Sequence, residues 1–326
     1  MSNLYPLKFR PILKSIIWGG DQITEFKGIM PRQSGVGESW EVSAVKDNVS
    51  VVSNGAFEGK PLDELIAAYG ASLLGQRNID RFGAKFPLLI KFIDARDDLS
   101  IQVHPDDRLA KERHNSFGKT EMWYVVKAQS GAGLYSGFSQ QIDAEKYVDL
   151  VKNNTITDVL QRYEVKPGDV FFLPAGRVHA IGAGTFIAEI QQNSDITYRI
   201  YDYDRRDAAG NGRELHTELA KDAIDYTVEK EYRTFYQEVL NEPVFLAESD
   251  YFTTNLLHFD QPMARDLEKT DSFIIYICME GKARLTDNNG YSVNLSQGET
   301  VLVPAQATAI NLQPTGTCKI LETFVG

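Results

Sequence analysis

Apolar positions along the chain gather into short runs broken by Gly, Pro, Asn and Asp: SWEVSAV, SVVSNG, PLLIKFID, SIQVHP, EMWYVVKA, DVFFLPA, TFIAEIQQ and ITYRIYDY. Runs of this kind, rich in β-branched and aromatic residues and closed by turn formers, predict strands of an all-β sandwich or barrel. Other stretches place apolar residues at helical spacing. In PLDELIAAYGASLLG these are Leu62, Leu65, Ile66 and Tyr69. AEKYVDLVKNNTITDVLQRY predicts two short helices burying Val148, Val151, Val159 and Leu160, and ELHTELAKDAIDYTVEKEY predicts another near residues 214–232. Plain β patterning returns after about residue 240, with FTTNLLHFD, SFIIYICMEG, ARLTDNNGYSVNLS, ETVLVPA and KILETFV. Asp287 to Gly290 reads as a hairpin turn within it. A domain boundary is expected in NEPVF, dividing the chain into 1–240 and 241–326.

One phrase occurs twice. Gly168-DVFFL-Pro174 and Gly298-ETVLV-Pro304 share the form G-x5-P-A, and each follows a strand and glycine, VVKAQSG and ICMEG. A glycine, an acid and a β run make a common turn-and-strand phrase, so chance recurrence is one explanation. The other is two related β-barrels of which only one carries chemistry. The first copy continues PAGRVHAIG and the second PAQATAI, without the histidine.

Composition narrows the function. A net charge of −11 lacks the basic excess of a general nucleic-acid binder and leaves a small anionic substrate open, since local lysines and arginines decide that. No apolar run approaches the roughly 20 residues that span a bilayer. The N-terminal apolar residues are interrupted by Lys8, Arg10, Pro11 and Lys14, with no cleavage site of small residues, so no signal peptide is read there. The two cysteines, Cys278 and Cys318, match no ligand spacing, and a reducing cytoplasm is the expected compartment.

The candidate chemistry lies in polar residues on apolar strands. Gln102 and His104 are two apart and project to one side. Glu121 opens EMWYVVKA, where a core has no use for a carboxylate, and His179 follows a glycine-bearing turn in PAGRVHAIG. Two imidazoles, a carboxylate and an amide oxygen suit a borderline divalent ion such as zinc, with a position left for substrate. Hydrogen-bonded structural histidines are the alternative reading. His114, His216 and His258 show no such setting and read as surface or structural.

The stretch G-x5-P-x-G-x2-H, Gly168 to His179, resembles the second signature of the cupin superfamily. Together with GESWEVS, FPLLIKFID, LSIQVHPDD, GKTEMWYVV, PAGRVHAIGAG and IAEIQQNSDITYRIYDYDR, it is similar to the class I mannose-6-phosphate isomerase family in its short bacterial form. The similarity runs in order through nearly all of the first 220 residues. The C-terminal part resembles the family's degenerate cupin-like domain less specifically. The resemblance implies a mainly β, jelly-roll cupin barrel with helical insertions over 1–240 and a smaller cupin-like β-domain without metal over 241–326. It implies one zinc ion per chain on Gln102, His104, Glu121 and His179, and interconversion of mannose 6-phosphate and fructose 6-phosphate.

That reaction moves a proton between C2 and C1 through an enediol(ate). Arg199 resembles the family's active-site arginine and would stabilise the developing negative charge. Glu189 and Lys119 also match family positions and are candidates for moving the proton, with metal-bound water a third. Lys91, a lysine within an apolar strand, suggests a site-facing position, since burying an unpaired ammonium is expensive; an edge-strand lysine is the alternative. Ser100, Lys119 and Lys91 are candidates for receiving the phosphate. Trp40 and Glu41 are expected to line the pocket, unless Trp40 is core, and Arg205 and Arg206 to form a solvated cluster. Two other functions compete: a non-catalytic sugar-phosphate-binding cupin, and a different metal-dependent cupin enzyme. The lysines, Glu189 and Arg199 favour the isomerase, whose partner would be a small phosphosugar, with neither nucleic acid nor membrane.

Overall fold

The computed structural model describes residues 3–206 and 210–326. The β runs assemble into two sandwiches. In the first, a seven-stranded sheet runs in the order Arg233–Thr234, Val170–Leu173, Glu121–Ala128, Thr185–Gln192, Leu88–Ala95, Ile12–Gly20, Val36–Val42. Its companion is a five-stranded sheet ordered Leu160–Glu164, Gly133–Phe138, His179–Ile181, Ile101–Val103, Tyr198–Tyr201. In the second, a six-stranded sheet (Leu7–Lys8, Thr300–Val303, Ile274–Glu280, Cys318–Phe324, Thr253–Phe259, Glu242–Glu248) accompanies a four-stranded one (Met263–Asp266, Ala309–Pro314, Lys282–Asp287, Ser292–Ser296). This is the mainly β, jelly-roll architecture expected. The strand Leu7–Lys8 pairs with Thr300–Val303, so the start of the chain contributes to the C-terminal sandwich.

Burial on both faces explains why the strands of the large sheet read as apolar runs. Leu88, Ile90 and Phe92 point outward into one core, whereas Ile93 and Ala95 point into the first sandwich. On Thr185–Gln192 the outward residues are Phe186, Ala188 and Ile190, and Ile187 points inward. Period-two alternation therefore sends Lys91, Glu189 and Gln191 inward, and Glu121 inward beside Trp123 and Val125. The outward residues meet Leu256, Ile275, Ile277, Leu302 and Leu321 of the C-terminal sandwich in a single apolar core. The two large sheets thus lie back to back.

The repeated phrase occupies equivalent places. Gly168 (φ 90°) and Gly298 (φ 77°) adopt left-handed turns that only glycine enters without strain. The following strands, Val170–Leu173 and Thr300–Val303, each lie in the large sheet of their sandwich. Leu173 pairs with Glu121 in the first, and Val303 with Ile274 in the second.

Several expected elements differ. The second helix predicted in AEKYVDLVKNNTITDVLQRY is a 3-10 turn, Ile156–Val159, running into a strand, Leu160–Glu164, that pairs with Gly133–Phe138. Completing the sheet satisfies more backbone than a short helix would. Near 214–232 only Thr217–Ala223 is helical. Beyond it Ile224, Tyr226 and Val228 pack on the core at spacing two, an extended period rather than a helical one. SVVSNG, expected as a strand, forms only isolated bridges, Val51 with Pro61 and Val52 with Phe9, and the nearest strand pair is Ala44–Val45 with Asn48–Val49 just before it. The helix of PLDELIAAYGASLLG forms, interrupted at Gly70, and is followed by a further helix, Gln76–Phe82. The turn at Asp287 to Gly290 joins paired strands as predicted. Among the described residues, no helix is long and apolar enough to cross a membrane.

Candidate active site

A cavity of about 370 Å³ opens between the sheets of the first sandwich. The five-stranded sheet faces it with a ladder of directly opposed residues, of which Gln102 and Arg199 line the cavity. Ser136 pairs with His179, His179 with Gln102, and Gln102 with Arg199. Opposed residues of antiparallel strands share a face with Cβ atoms about 5 Å apart. The seven-stranded sheet presents a matching row, in which Trp40 pairs with Lys91, Lys91 with Glu189 and Glu189 with Trp123.

His104, Glu121 and His179 are fully enclosed, and one ligand atom of each lies within 4.8 Å of the others. Both imidazoles are oriented from behind. Nδ1–H of His104 donates to the Ile196 carbonyl at 2.9 Å and that of His179 to the Arg177 carbonyl at 2.8 Å. This fixes the tautomer whose Nε2 lone pair faces the cluster, the arrangement that prepares a histidine for a metal. His104 Nε2 and both Glu121 carboxylate oxygens have no hydrogen-bond partner among the described residues. Gln102 Nε2 stands 3.2 Å from His179 Nε2, and reversal of the amide would present its oxygen at the same place. Buried acceptors without donors are costly. Three of them, His104 Nε2 and both Glu121 oxygens, converge beside His179 Nε2 and the Gln102 amide, and this N and O set fits a divalent cation. It is the only such cluster of His, Cys, Asp and Glu among the described residues.

Burial and the neighbouring charges act together on these groups. Burial pushes the Glu121 carboxyl up to about 7, opposed by Lys119, whose Nζ lies 3.2 Å from Glu121 Oε2. Burial also holds both imidazoles neutral, His179 lowered to about 4 and His104 well below the ordinary histidine value. At Glu189 the effect of burial is outweighed by Lys91 and then Lys119, which keep the carboxyl below its usual range. Glu189 Oε2 accepts from Trp123 Nε1 at 2.8 Å, while Oε1 lies 3.2 Å from Lys91 Nζ without hydrogen-bond geometry. Lys91 rests 5.2 Å from the Trp40 ring centre. Burial would lower its pKa, but Glu189 and Glu38 raise it, so it stays charged.

Gln102, Lys91, Glu189, Lys119, Ser100, Trp40 and Arg199 all line the cavity, with His104, Glu121 and His179 enclosed beside it. Lys91 is thus on an inner strand and not an edge. Glu41 does not line it. Adjacent residues of a strand face opposite ways, and Glu41 is buried behind the sheet, taking Lys27 Nζ at 2.8 and 2.7 Å on its two oxygens. Glu38, two residues before Trp40, lines the cavity instead and accepts from Trp40 Nε1 at 2.5 Å. Arg205 is not simply solvated, since it pairs with the buried Asp202. Arg213, which also pairs with Asp202, reaches the cavity wall unanticipated. His216 is structural: its Nδ1 accepts the Arg199 backbone N–H at 3.0 Å. His114 pairs with the Tyr198 hydroxyl at 2.8 Å.

Comparison with known proteins bears on this site. Residues 7–125 match the family model of phosphomannose isomerase type I, catalytic domain, and residues 241–325 that of the mannose-6-phosphate isomerase cupin domain. The chain is 37% identical over 302 residues to mannose-6-phosphate isomerase ManA of Bacillus subtilis, covering 92% of this chain and 93% of that one. It is 35% identical over 283 residues to mannose-6-phosphate isomerase of Streptococcus mutans, covering 86% and 87%. The crystal structure of the mannose 6-phosphate isomerase from Bacillus subtilis superposes with a TM-score of 0.85 at 30% identity, over 98% of this chain and 99% of that one.

Proposed function

Because the chain belongs to the type I phosphomannose isomerase family, we propose that it interconverts mannose 6-phosphate and fructose 6-phosphate with one zinc ion. The observation that carries the reading is the set of unpartnered buried donors, His104 Nε2 and the Glu121 oxygens, at the floor of a cavity walled by charged groups. Gln102, His104, Glu121 and His179 would hold the ion, which when bound supplies a Lewis acid for sugar oxygens without redox chemistry.

The chain's own residues supply the rest. Proton transfer between C2 and C1 needs a group that takes the proton from one carbon and returns it to the other. Glu189 Oε1 and Lys119 Nζ are the two placed to do so. Glu189 is anchored through Oε2 by Trp123, with Oε1 beside Lys91, and the two lysines keep it ionised, the state a proton acceptor needs. Arg199, opposite Gln102 in register, is the candidate to stabilise the charge that grows on the oxygens of the enediolate, a role its register beside a proposed metal ligand supports. Lys91 and Trp40 form the wall that orients sugar hydroxyls, and Ser100 offers a hydroxyl further along the cavity. With the side chains enclosing the floor, water is kept from the intermediate.

The test is a coupled assay with mannose 6-phosphate on the purified protein before and after chelation, then after adding back zinc. Turnover lost with the metal and restored by zinc supports the reading. Turnover that survives complete removal of metal refutes the metal's part, and no turnover in the zinc-loaded protein refutes the isomerase.

A further inference from the structure

We propose that Arg213, held ready by Asp202, binds the phosphate group of the substrate; this rests on the isomerase reading above. The two lysines of the cavity are already committed, Lys91 to Glu189 and Lys119 to Glu121, each at 3.2 Å. The other end of the cavity is differently charged. There the buried Asp202 receives both Arg205 and Arg213, the latter through Nε at 2.7 Å and through Nη2. Arg213 Nη1 has no acceptor among the described residues. Arg199, beside them, donates through Nη1 to the Glu214 carbonyl at 2.9 Å and buries an Nε with no partner. Three guanidiniums around one carboxylate leave positive charge to spare, and two of them, Arg199 and Arg213, line the cavity. Burial, and then the nearness of Arg213, lowers the Arg199 pKa, as unneutralised like charges do.

Position selects the phosphate over another anion. Gln102 is opposite Arg199 and Ile101 opposite Tyr201, so stepping from Gln102 to Ser100 runs alongside the step from Arg199 to Asp202. Ser100 and Arg213 therefore mark the end of the cavity away from the donor cluster. A hexose 6-phosphate with C1 and C2 at that cluster carries its phosphate to this end. The arm that brings Arg213 there is fixed to the Arg199 strand, since the His216 N–H donates to the Arg199 carbonyl at 2.7 Å and its ring accepts in return. A guanidinium fork preset by a carboxylate suits a phosphate dianion and loses little freedom on binding.

The test compares R213M and R213K with wild type in the metal-loaded protein. Arg213 is a third exposed and Asp202 keeps Arg205 when Arg213 is replaced, so both variants are expected to fold, with a modest loss of stability that a melting curve reads separately from KM. Loss of one charge-assisted contact raises KM for mannose 6-phosphate about 10- to 100-fold in R213M. The accompanying fall in kcat is expected to be less than about threefold. R213K is expected to lie between. Inorganic phosphate, titrated calorimetrically, loses affinity for R213M in parallel. R206M is the control, because Arg206 sits in the same basic loop outside the cavity with Nη1 on the Gly210 carbonyl at 2.9 Å. Unchanged KM and phosphate affinity in R213M overturn the proposal. So does an equal loss in R206M, which would make the effect one of general field. The phosphate titration reads Arg213 even if wild type proves not to isomerise, so the two failures are distinguishable.

Discussion

Glu322, on an inner strand of the C-terminal sandwich, accepts from Arg265 Nε at 2.9 Å and Nη2 at 2.8 Å, from Tyr276 Oη at 3.0 Å and from Asn255 Nδ2 at 3.0 Å. Glu121, as deeply buried in the N-terminal sandwich, has only the Lys119 ammonium 3.2 Å from Oε2 and no hydrogen bond of good geometry among the described residues. Both sandwiches thus enclose a carboxylate, but one is saturated by hydrogen bonds from its own chain and the other is ion-paired to a single lysine, with lone pairs to spare. The equivalent positions sharpen the contrast. Opposite the end of the repeated strand, the second sandwich has Ile274 where the first has Glu121. Ala309 opens the strand after PAQAT as His179 opens the one after PAGRV. The second interior is filled by Leu257, Phe259, Tyr276, Leu285 and Ile320. A buried polar group satisfied internally holds a fold in one register; one left unsatisfied marks a site.

The largest effect that could break this comparison is on the metal. His104→Ala and His179→Ala are expected to strip the ion and abolish isomerisation, each removing a nitrogen donor. Elemental analysis alongside the assay checks it, and a variant retaining both metal and turnover would show that the cluster is not the site. The same analysis of wild type is expected to give one ion per chain, since Ile274 and Ala309 offer no donors; two tightly bound ions would erase the difference between the sandwiches.

Next comes the arginine beside the cluster. Arg199→Ala is expected to lower kcat by about 100- to 1,000-fold, the usual effect of removing a donor that acts on developing charge. KM should change much less, and Arg199→Lys should recover part of the rate, since lysine restores the charge without the planar fork. A variant that is folded and metal-loaded with normal kcat removes Arg199 from the chemistry.

A smaller effect tests the other side. Glu322→Gln leaves Arg265 without its counter-charge and is expected to destabilise the protein by on the order of 3 kcal/mol in urea unfolding. Metal content and kcat of the folded protein should stay at the wild-type level. Glu121→Gln should do the reverse, losing the metal while moving the metal-free melting temperature less than Glu322→Gln does.

The smallest effect is in the pH dependence of stability. Burial alone would raise the Asp202 carboxyl, but hydrogen bonds from Arg213 and Arg205 bring it below the ordinary aspartate value. The unfolded chain therefore takes up this proton first as pH falls. The contribution is present above about pH 4 and is lost as pH drops through the lower folded value. Urea midpoints measured on the acid side should fall less steeply in Asp202→Asn than in wild type; parallel curves would show the clamp to be electrostatically idle.

What was legible in the chain follows from contrast. Gln102, His104, Glu121 and Lys91 stand out because a polar residue in an apolar strand has few innocent explanations, and all four are found at the cavity or its floor. Arg213 has no such background, lying in a loop of charges and glycines where one arginine looks like another. Glu41 misled because one residue reverses the face of a strand, and the register here shifts between Trp40 and Val42. The expected helix over 214–232 failed at Ile224, where apolar residues at spacing two and at spacing four coincide over a few positions, and only the core they meet decides between them.

The pairing of Leu7–Lys8 with Thr300–Val303 sets a timetable for the newly made chain. Leu4, Leu7 and Phe9 belong to the core shared by both sandwiches, yet their partners Leu302 and Leu321 are synthesised long after them. At about 5–20 residues per second, the chain between them takes roughly 15–60 s to synthesise. Throughout that interval the first strand has no edge to join and the back of the large sheet has no cover. The first sandwich can gather its own ladder in the meantime, but the apolar face behind the cavity strands remains open until the strands of the second sandwich are made. A chain stalled before those strands would thus carry a nearly finished cavity on an uncovered apolar back.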